Sequence, residues 1–149
     1  MDSFTLAGTT GSLTVQLEEV FGFPHQTSSF GGYDTRSRLR LRSHGFSVDS
    51  VLWLSTGEVF TFYQQLRAAH AQLAGIARFA SSEENLCFAV AYLPLGQVAL
   101  TGEYREHTPE ANRLTFEIAS DQSYLHRAVA ELTQWAEQYG GMHGKRLPA

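Results

Sequence analysis

Between Arg36 and Ser43 the chain alternates strictly, with Arg36, Arg38, Arg40 and Arg42 separated by Ser37, Leu39, Leu41 and Ser43. Side chains along a strand point to opposite faces in turn, so this period of two predicts an extended strand carrying all four guanidinium groups on one face. Like charges aligned in this way repel unless neighbours supply carboxylates. Two readings follow: a cross-strand charge ladder, to Glu18 or Glu103 for instance, or a surface for an anion or an acidic partner, which arginine suits through bidentate hydrogen bonding. Pairing favours the ladder. After Gly45 the run Phe46 to Leu54 predicts the returning strand of a hairpin, expected to be the more deeply buried of the two.

The same period opens the chain. Phe4, Leu6, Leu13, Val15 and Leu17 alternate with Thr5, Thr14, Gln16 and Glu18, and the Gly8-Thr9-Thr10-Gly11 segment between them supplies a turn. Pro24, Ser28, Ser29, Gly31 and Gly32 break any periodicity, so 22–35 reads as a long surface loop. Downstream, strands are predicted over Ile76–Ala80, Leu86–Leu93, Gly96–Tyr104 and Leu114–Ala119, with a turn at Pro94-Leu95-Gly96 and a polar connection over 105–112. Neighbours in sequence are expected to pair antiparallel.

Two stretches switch to helical spacing. Ser55-Thr56-Gly57-Glu58 has the capping-box pattern, and Val59, Phe62, Tyr63, Leu66, Ala69 and Leu73 form a stripe beyond it, with Gly75 placed as the C-terminal cap. Asp121 is positioned to cap a second helix whose stripe is Leu125, Ala128, Val129, Leu132, Trp135 and Ala136, ending at Gly140-Gly141. The fold class predicted is α+β: a mainly antiparallel sheet of about seven or eight strands, with two amphipathic helices packed on it. Residues 1–141 are expected to form a single domain, and 142–149 a flexible tail.

A chain of 149 residues can bury roughly 70% of its unfolded surface around one core. Its 43% hydrophobic content, with 10 Phe, 6 Tyr and 2 Trp, supplies that core. A formal net charge of −4 argues against nucleic acid or an anionic membrane as partner. The sequence carries neither a secretory signal pattern nor an apolar run of about 20 residues. Cys87 is the single cysteine, consistent with a reducing compartment, and beside Leu86 and Phe88 it reads as a small buried hydrophobe.

The residues suggest neither catalysis nor a cofactor. His25, His44, His70, His107, His126 and His143 lack metal-ligand spacing, and His70 and His126 read as helix surface or boundary residues. No GxSxG or phosphate-loop pattern is present. Glu18-Glu19 and Glu83-Glu84 read as solvated charges rather than an acid–base pair.

The segment Asp121-Gln122-Ser123-Tyr124-Leu125, between a strand and an amphipathic helix, resembles the DQxxL signature of WapI-like bacterial immunity proteins and related small bacterial domains. The earlier order is similar too: Tyr33-Asp34, the strand Arg38-Leu39-Arg40-Leu41-Arg42, Gly45-Phe46, then a helix containing Phe60, Leu66 and Leu73, with Thr35 where the pattern often has Trp. The resemblance implies a non-catalytic cytoplasmic antidote that binds a toxin domain. Expected contacts are Phe30, Tyr33 and Asp34 of the loop, the arginine face of Arg36, Arg38, Arg40 and Arg42, and His107. A small-ligand protein or enzyme with a pocket lined by Trp53, Phe62 or Tyr92, and a homomeric scaffold, are the alternatives; the residues leave the oligomeric state open.

Overall fold

The computed structural model describes residues 2–110 and 112–145. In chain order the elements are β1 (Ser3–Ala7), β2 (Gly11–Val20), β3 (Asp34–Ser43), β4 (Phe46–Ser55), α1 (Thr56–Gln72), β5 (Gly75–Ala80), β6 (Leu86–Tyr92), β7 (Gln97–Arg105), β8 (Arg113–Asp121) and α2 (Gln122–Tyr139). The fold is α+β. Its eight strands divide into two four-stranded sheets, β1-β2-β3-β4 and β5-β6-β7-β8, with every neighbouring pair antiparallel. The division falls where α1 interrupts the strand succession: the chain leaves β4 directly into the helix, and β5 begins a new sheet.

Alternation decides which side of each strand faces the core. Phe4, Leu6, Leu13, Val15, Leu17, Leu39, Leu41, Leu52 and Leu54 are buried from the first sheet, and Phe79, Phe88, Val90, Leu100, Phe116 and Ile118 from the second. One apolar cluster joins them to Phe62 and Leu66 of α1 and to Leu125, Leu132 and Trp135 of α2. Phe62 lies at its centre, with ring centroids 6.4 Å from Phe4, 6.2 Å from Phe79 and 5.1 Å from Phe88. Three aromatic pairs in offset or edge geometry contribute beyond the area they bury.

Both helix starts follow their sequence signals. The Ser55 hydroxyl accepts from the Glu58 N–H at 3.2 Å and a Glu58 carboxylate oxygen accepts from the Ser55 N–H at 2.8 Å, completing a capping box. Asp121 caps α2 by accepting from the Ser123 N–H at 2.8 Å and from the Ser123 hydroxyl. The end of α1 differs from expectation. Leu73 itself takes the left-handed conformation that ends the helix, with its N–H on the Ala69 carbonyl, and Gly75 already opens β5. The stripe therefore stops at Ala69.

Three further expectations are corrected. β4 is an edge strand, so it is less buried than β3, and Phe46 and Trp53 are exposed on it. Cys87 is exposed as well: β6 alternates, and Cys87 occupies its outer face while Leu86 and Phe88 point inward. Of the expected flexible tail, Met142–Lys145 is tied down. The Gly32 N–H donates to the Met142 carbonyl at 2.8 Å, and the Lys145 N–H to the Tyr33 hydroxyl at 2.8 Å. The rest of that tail, 146–149, lies outside the described residues.

Where the loop after β2 meets α1, two backbones pass without side chains between them. The Gly57 N–H donates to the Gly31 carbonyl at 3.1 Å, and a Cβ on Gly57 would overlap the Gly31 carbonyl group. Helix propensity alone would favour Gly57→Ala by about 1 kcal/mol. We expect the substitution instead to destabilise the protein by about 1–3 kcal/mol, because the obstructing atoms are backbone, as read from denaturant unfolding.

Candidate functional site

The outer face of β4 carries Val51 and Trp53, since Leu52 and Leu54 take the inner positions. Trp53 is 46% exposed and stacks on Phe21, which leaves the end of β2, at a centroid separation of 6.4 Å. Phe30, 54% exposed, completes an aromatic group on the neighbouring loop. These three rings, with Asp34 and Glu83, line a cleft of about 320 Å³. A second cleft of about 450 Å³ lies on the far side of Trp53, between β4 and Glu83, Tyr104, Glu106 and His107.

The loop that presents Phe30 is fixed from within. Tyr33 is fully buried; its hydroxyl donates to the Pro24 carbonyl at 2.8 Å and accepts the Lys145 N–H, while its ring packs edge-on against Phe23 at 5.2 Å. Its backbone is tied to Thr56 in both directions, N–H to hydroxyl and carbonyl to N–H, each at 2.8 Å. Next to Phe30, the Ser28 hydroxyl donates to Asp34 at 2.6 Å and accepts the Phe30 N–H at 3.0 Å. Tyr33 thus lies inside the fold, whereas Phe30 and Asp34 face outward.

The arginine face is a charge ladder. Glu18 lies 3.7 Å from Arg36 and 3.5 Å from Arg38, and Asp49 lies 2.6 Å from Arg38 and 3.8 Å from Arg40. The register shift between Leu17 and Glu19 makes Glu18 the extra residue of a bulge, a feature that re-aims a side chain. Hydrogen bonding to Asp49 raises the Arg38 pKa, and the same bond holds the Asp49 carboxyl below its ordinary range. Glu103, the other expected partner, pairs instead with Arg113 at 3.2 Å. Arg42 has no carboxylate within ion-pair distance among the described residues.

On the other side of Phe30 runs a wider groove of about 760 Å³. Its floor is the outer face of the second sheet, including Cys87, Ala89 and Thr101, and its wall is Phe30, Met142 and the start of α1. Burial pushes the Glu58 carboxyl at its rim above the usual range, opposed by the Ser55 hydrogen bonds. The pocket expected from Trp53, Phe62 and Tyr92 does not form: Trp53 is outside, and Phe62 is enclosed in the core.

Tyr92 belongs to a hydrogen-bonded chain that sequence spacing did not disclose. Its hydroxyl lies 2.7 Å from His70 Nδ1, and His70 Nε2 lies 2.9 Å from His126 Nδ1, linking β6, α1 and α2. Burial raises the Tyr92 pKa to about 12, and burial together with His126 lowers that of His70. Among the described residues no cluster of three or more His, Cys, Asp or Glu side chains could hold a metal ion.

Against this geometry, the chain matches the Immunity protein WapI-like family over residues 5–140, a span that takes in both helices and every strand except the first two residues of β1. The chain belongs to the WapI-like immunity protein family. No curated protein and no solved structure matches it. Within the matched span, Asp121 of the Asp121-Gln122 pair caps α2, and Tyr33 of the Tyr33-Asp34 pair is the buried tie between loop and helix. No helix among the described residues is long and apolar enough to cross a membrane.

The His70 chain gives a pH dependence. Folding lowers the His70 pKa from 6.5, so the unfolded chain binds the proton more readily. Its contribution to stability is therefore complete above about pH 6.5 and lost as the pH falls through the folded-state value. We expect the melting temperature to drop between pH 7.5 and 5.5, and His70→Phe to reduce that drop, measured by thermal denaturation across the range.

Proposed function

We propose that this WapI-like immunity protein neutralises a cognate bacterial toxin domain by binding it, acting in the cytoplasm and without catalysis of its own. The observation that carries this reading, beside family membership, is the exposed aromatic group of Phe21, Phe30 and Trp53 set among charged side chains. Aromatic residues and arginine dominate the energetics of protein interfaces, because they bury large rigid surfaces at little entropic cost.

The residues expected from sequence as contacts fall around this group. Phe30 and Asp34 line the first cleft, Arg36 is paired across the sheet with Trp53, and His107 borders the second cleft. Arg38 and Arg40 are paired with Glu18 and Asp49, so they frame the surface as a partly balanced ladder, and Arg42, without a carboxylate partner among the described residues, supplies a cation at its far end. Tyr33 contributes by holding the loop. In this reading the aromatic group is the centre of the interface and the ladder its rim.

A second reading, a small-ligand protein or an enzyme, draws support from the groove beneath Phe30 with its raised Glu58 carboxyl. A thermal-shift screen over metabolite classes separates the two: reproducible stabilisation by a small molecule favours the second.

For the leading reading, we expect co-expression with the toxin encoded beside this gene to restore growth and to yield a co-purifying complex. Phe30→Ala and Trp53→Ala should each weaken that complex by about 1–2 kcal/mol or more, with the fold retained and with Trp53→Ala lowering the melting temperature more than Phe30→Ala, because it also loses the stack on Phe21. Growth inhibition that the chain does not relieve, with no complex formed, contradicts the proposal.

A further inference from the structure

Two four-stranded sheets have four edges, and three of them are occupied. At β1 the Thr5 N–H donates to the Glu131 carboxylate of α2 at 3.0 Å. At β5 the Arg78 N–H donates to the Gln65 side chain of α1 at 2.9 Å. Along β8 the Ala119 N–H donates to the Thr10 hydroxyl at 2.9 Å, the Ala119 carbonyl accepts the Thr9 N–H at 2.8 Å, and the Glu117 carbonyl accepts the Ser43 hydroxyl at 3.0 Å. Such side-chain and turn contacts close sheet edges against unwanted pairing.

The fourth edge, β4, is ten residues long and pairs on one side alone, with β3. In an antiparallel pair, alternate residues direct their N–H and C=O groups toward the partner. The Thr56 N–H bond to the Tyr33 carbonyl fixes the phase, so residues 54, 52, 50, 48 and 46 face β3. Ser47, Asp49, Val51, Trp53 and Ser55 face the other way. The Ser55 N–H is taken by Glu58, in agreement with that phase. Among the described residues no hydrogen bond reaches the outward N–H groups of Ser47, Asp49, Val51 and Trp53.

The charge in the clefts beside Trp53 has one sign, whereas Arg42, across from Ser47 at the other end of the edge, has no carboxylate within ion-pair distance among the described residues. The two clefts are lined by the carboxylates of Asp34, Glu83 and Glu106, with neither lysine nor arginine among the described residues of their walls. Arg36 lies across from Trp53 but is held by Glu18. An indole face beside carboxylates that pair with no lysine or arginine among the described residues suits an extended cation, through cation–π attraction and ion pairing together. A second copy of the chain fits poorly, because pairing β4 with its own symmetry mate brings the same carboxylates together.

We propose that the outer edge of β4 receives an extended basic segment of the neutralised protein, which adds a fifth strand along Ser47–Trp53 and sets lysine or arginine side chains on Trp53 between Glu83 and Glu106. Main-chain pairing supplies register and the flanking clefts supply selectivity, as in other cases of strand addition. This rests on the neutralising reading above and specifies its surface and the chemistry of its partner.

The probe is the blocked heptapeptide Lys-Val-Lys-Val-Lys-Val-Lys, titrated into the isotope-labelled full chain and followed by amide NMR. The expected result is a set of shifts at the Ser47, Asp49, Val51 and Trp53 amides and at the Trp53 indole. The Glu-Val counterpart, and a lysine peptide N-methylated at alternate residues, should bind at least about tenfold more weakly. Glu83→Lys combined with Glu106→Lys, both on loops outside the core, should cause a similar loss. Equal binding of the acidic and basic peptides, shifts confined to another surface, no shifts at about millimolar peptide, or a dimer of the free chain with these amides protected, would each overturn the proposal. A doubly reversed variant that still neutralises its toxin overturns the edge assignment alone and leaves the neutralising reading standing.

Discussion

The buried junction of Tyr33 with Thr56 is the constraint on which the presented surface depends. A single residue joins the end of the long loop, the start of α1 and the segment after α2, through two backbone bonds and two bonds to one phenolic oxygen. The Tyr33 and Thr56 groups are enclosed, so losing their bond leaves a desolvated donor or acceptor behind, which costs more than the bond contributes when made. The close approach of Gly31 to Gly57 belongs to the same junction and requires that Gly57 carry no side chain, while Gly31 takes a positive φ and lies against Met142. Phe30, one residue from Gly31 and three from Tyr33, inherits a definite position although it lies in a loop and is exposed.

The charged residues serve the same surface by being satisfied elsewhere. Four arginines on one strand face would repel any cation brought near, yet Glu18 and Asp49 bridge three of them, and the bulge at Glu18 is what brings its carboxylate between two guanidinium groups. The carboxylates at Asp34, Glu83 and Glu106 carry no such balance in the adjoining clefts. A partly balanced, still positive ladder beside an acidic, aromatic hollow gives the β4 side of the molecule a polarity that net charge alone does not reveal.

Much of the scaffold was legible in the chain. Strict alternation located β1, β2 and β3 and their buried faces, and the Ser55 and Asp121 caps marked both helix starts, because these signals depend on neighbouring residues only. The misplacements share a physical origin. Cys87 was expected in the core because the outer face of β6 carries Ala89 and Ala91, small residues that erase the polar half of the alternation. The alternative of a pocket shared by Trp53, Phe62 and Tyr92 overlooked the alternation of Val51 and Trp53 against Leu52 and Leu54, which contained the signal for the outward position of Trp53. His70 and His126 meet across 56 residues, and Met142 docks on Gly32 across more than a hundred, encounters that no local pattern encodes. Of the expected contacts, Phe30 and Asp34 share a cleft; Tyr33, adjacent in sequence, lies inside the fold.

The central claim is that partner binding occurs on the β4 side, around Trp53. Hydrogen exchange of individual backbone amides, in the free chain and in complex with the co-purified toxin domain, addresses it most directly. The account predicts that the Ser47, Asp49, Val51 and Trp53 amides exchange quickly in the free chain while those of Val48, Ser50 and Leu52 exchange slowly, and that the complex slows the first group together with amides around Phe30. Slow exchange of the first group in the free chain, or protection in the complex confined to a surface away from both β4 and Phe30, would contradict it.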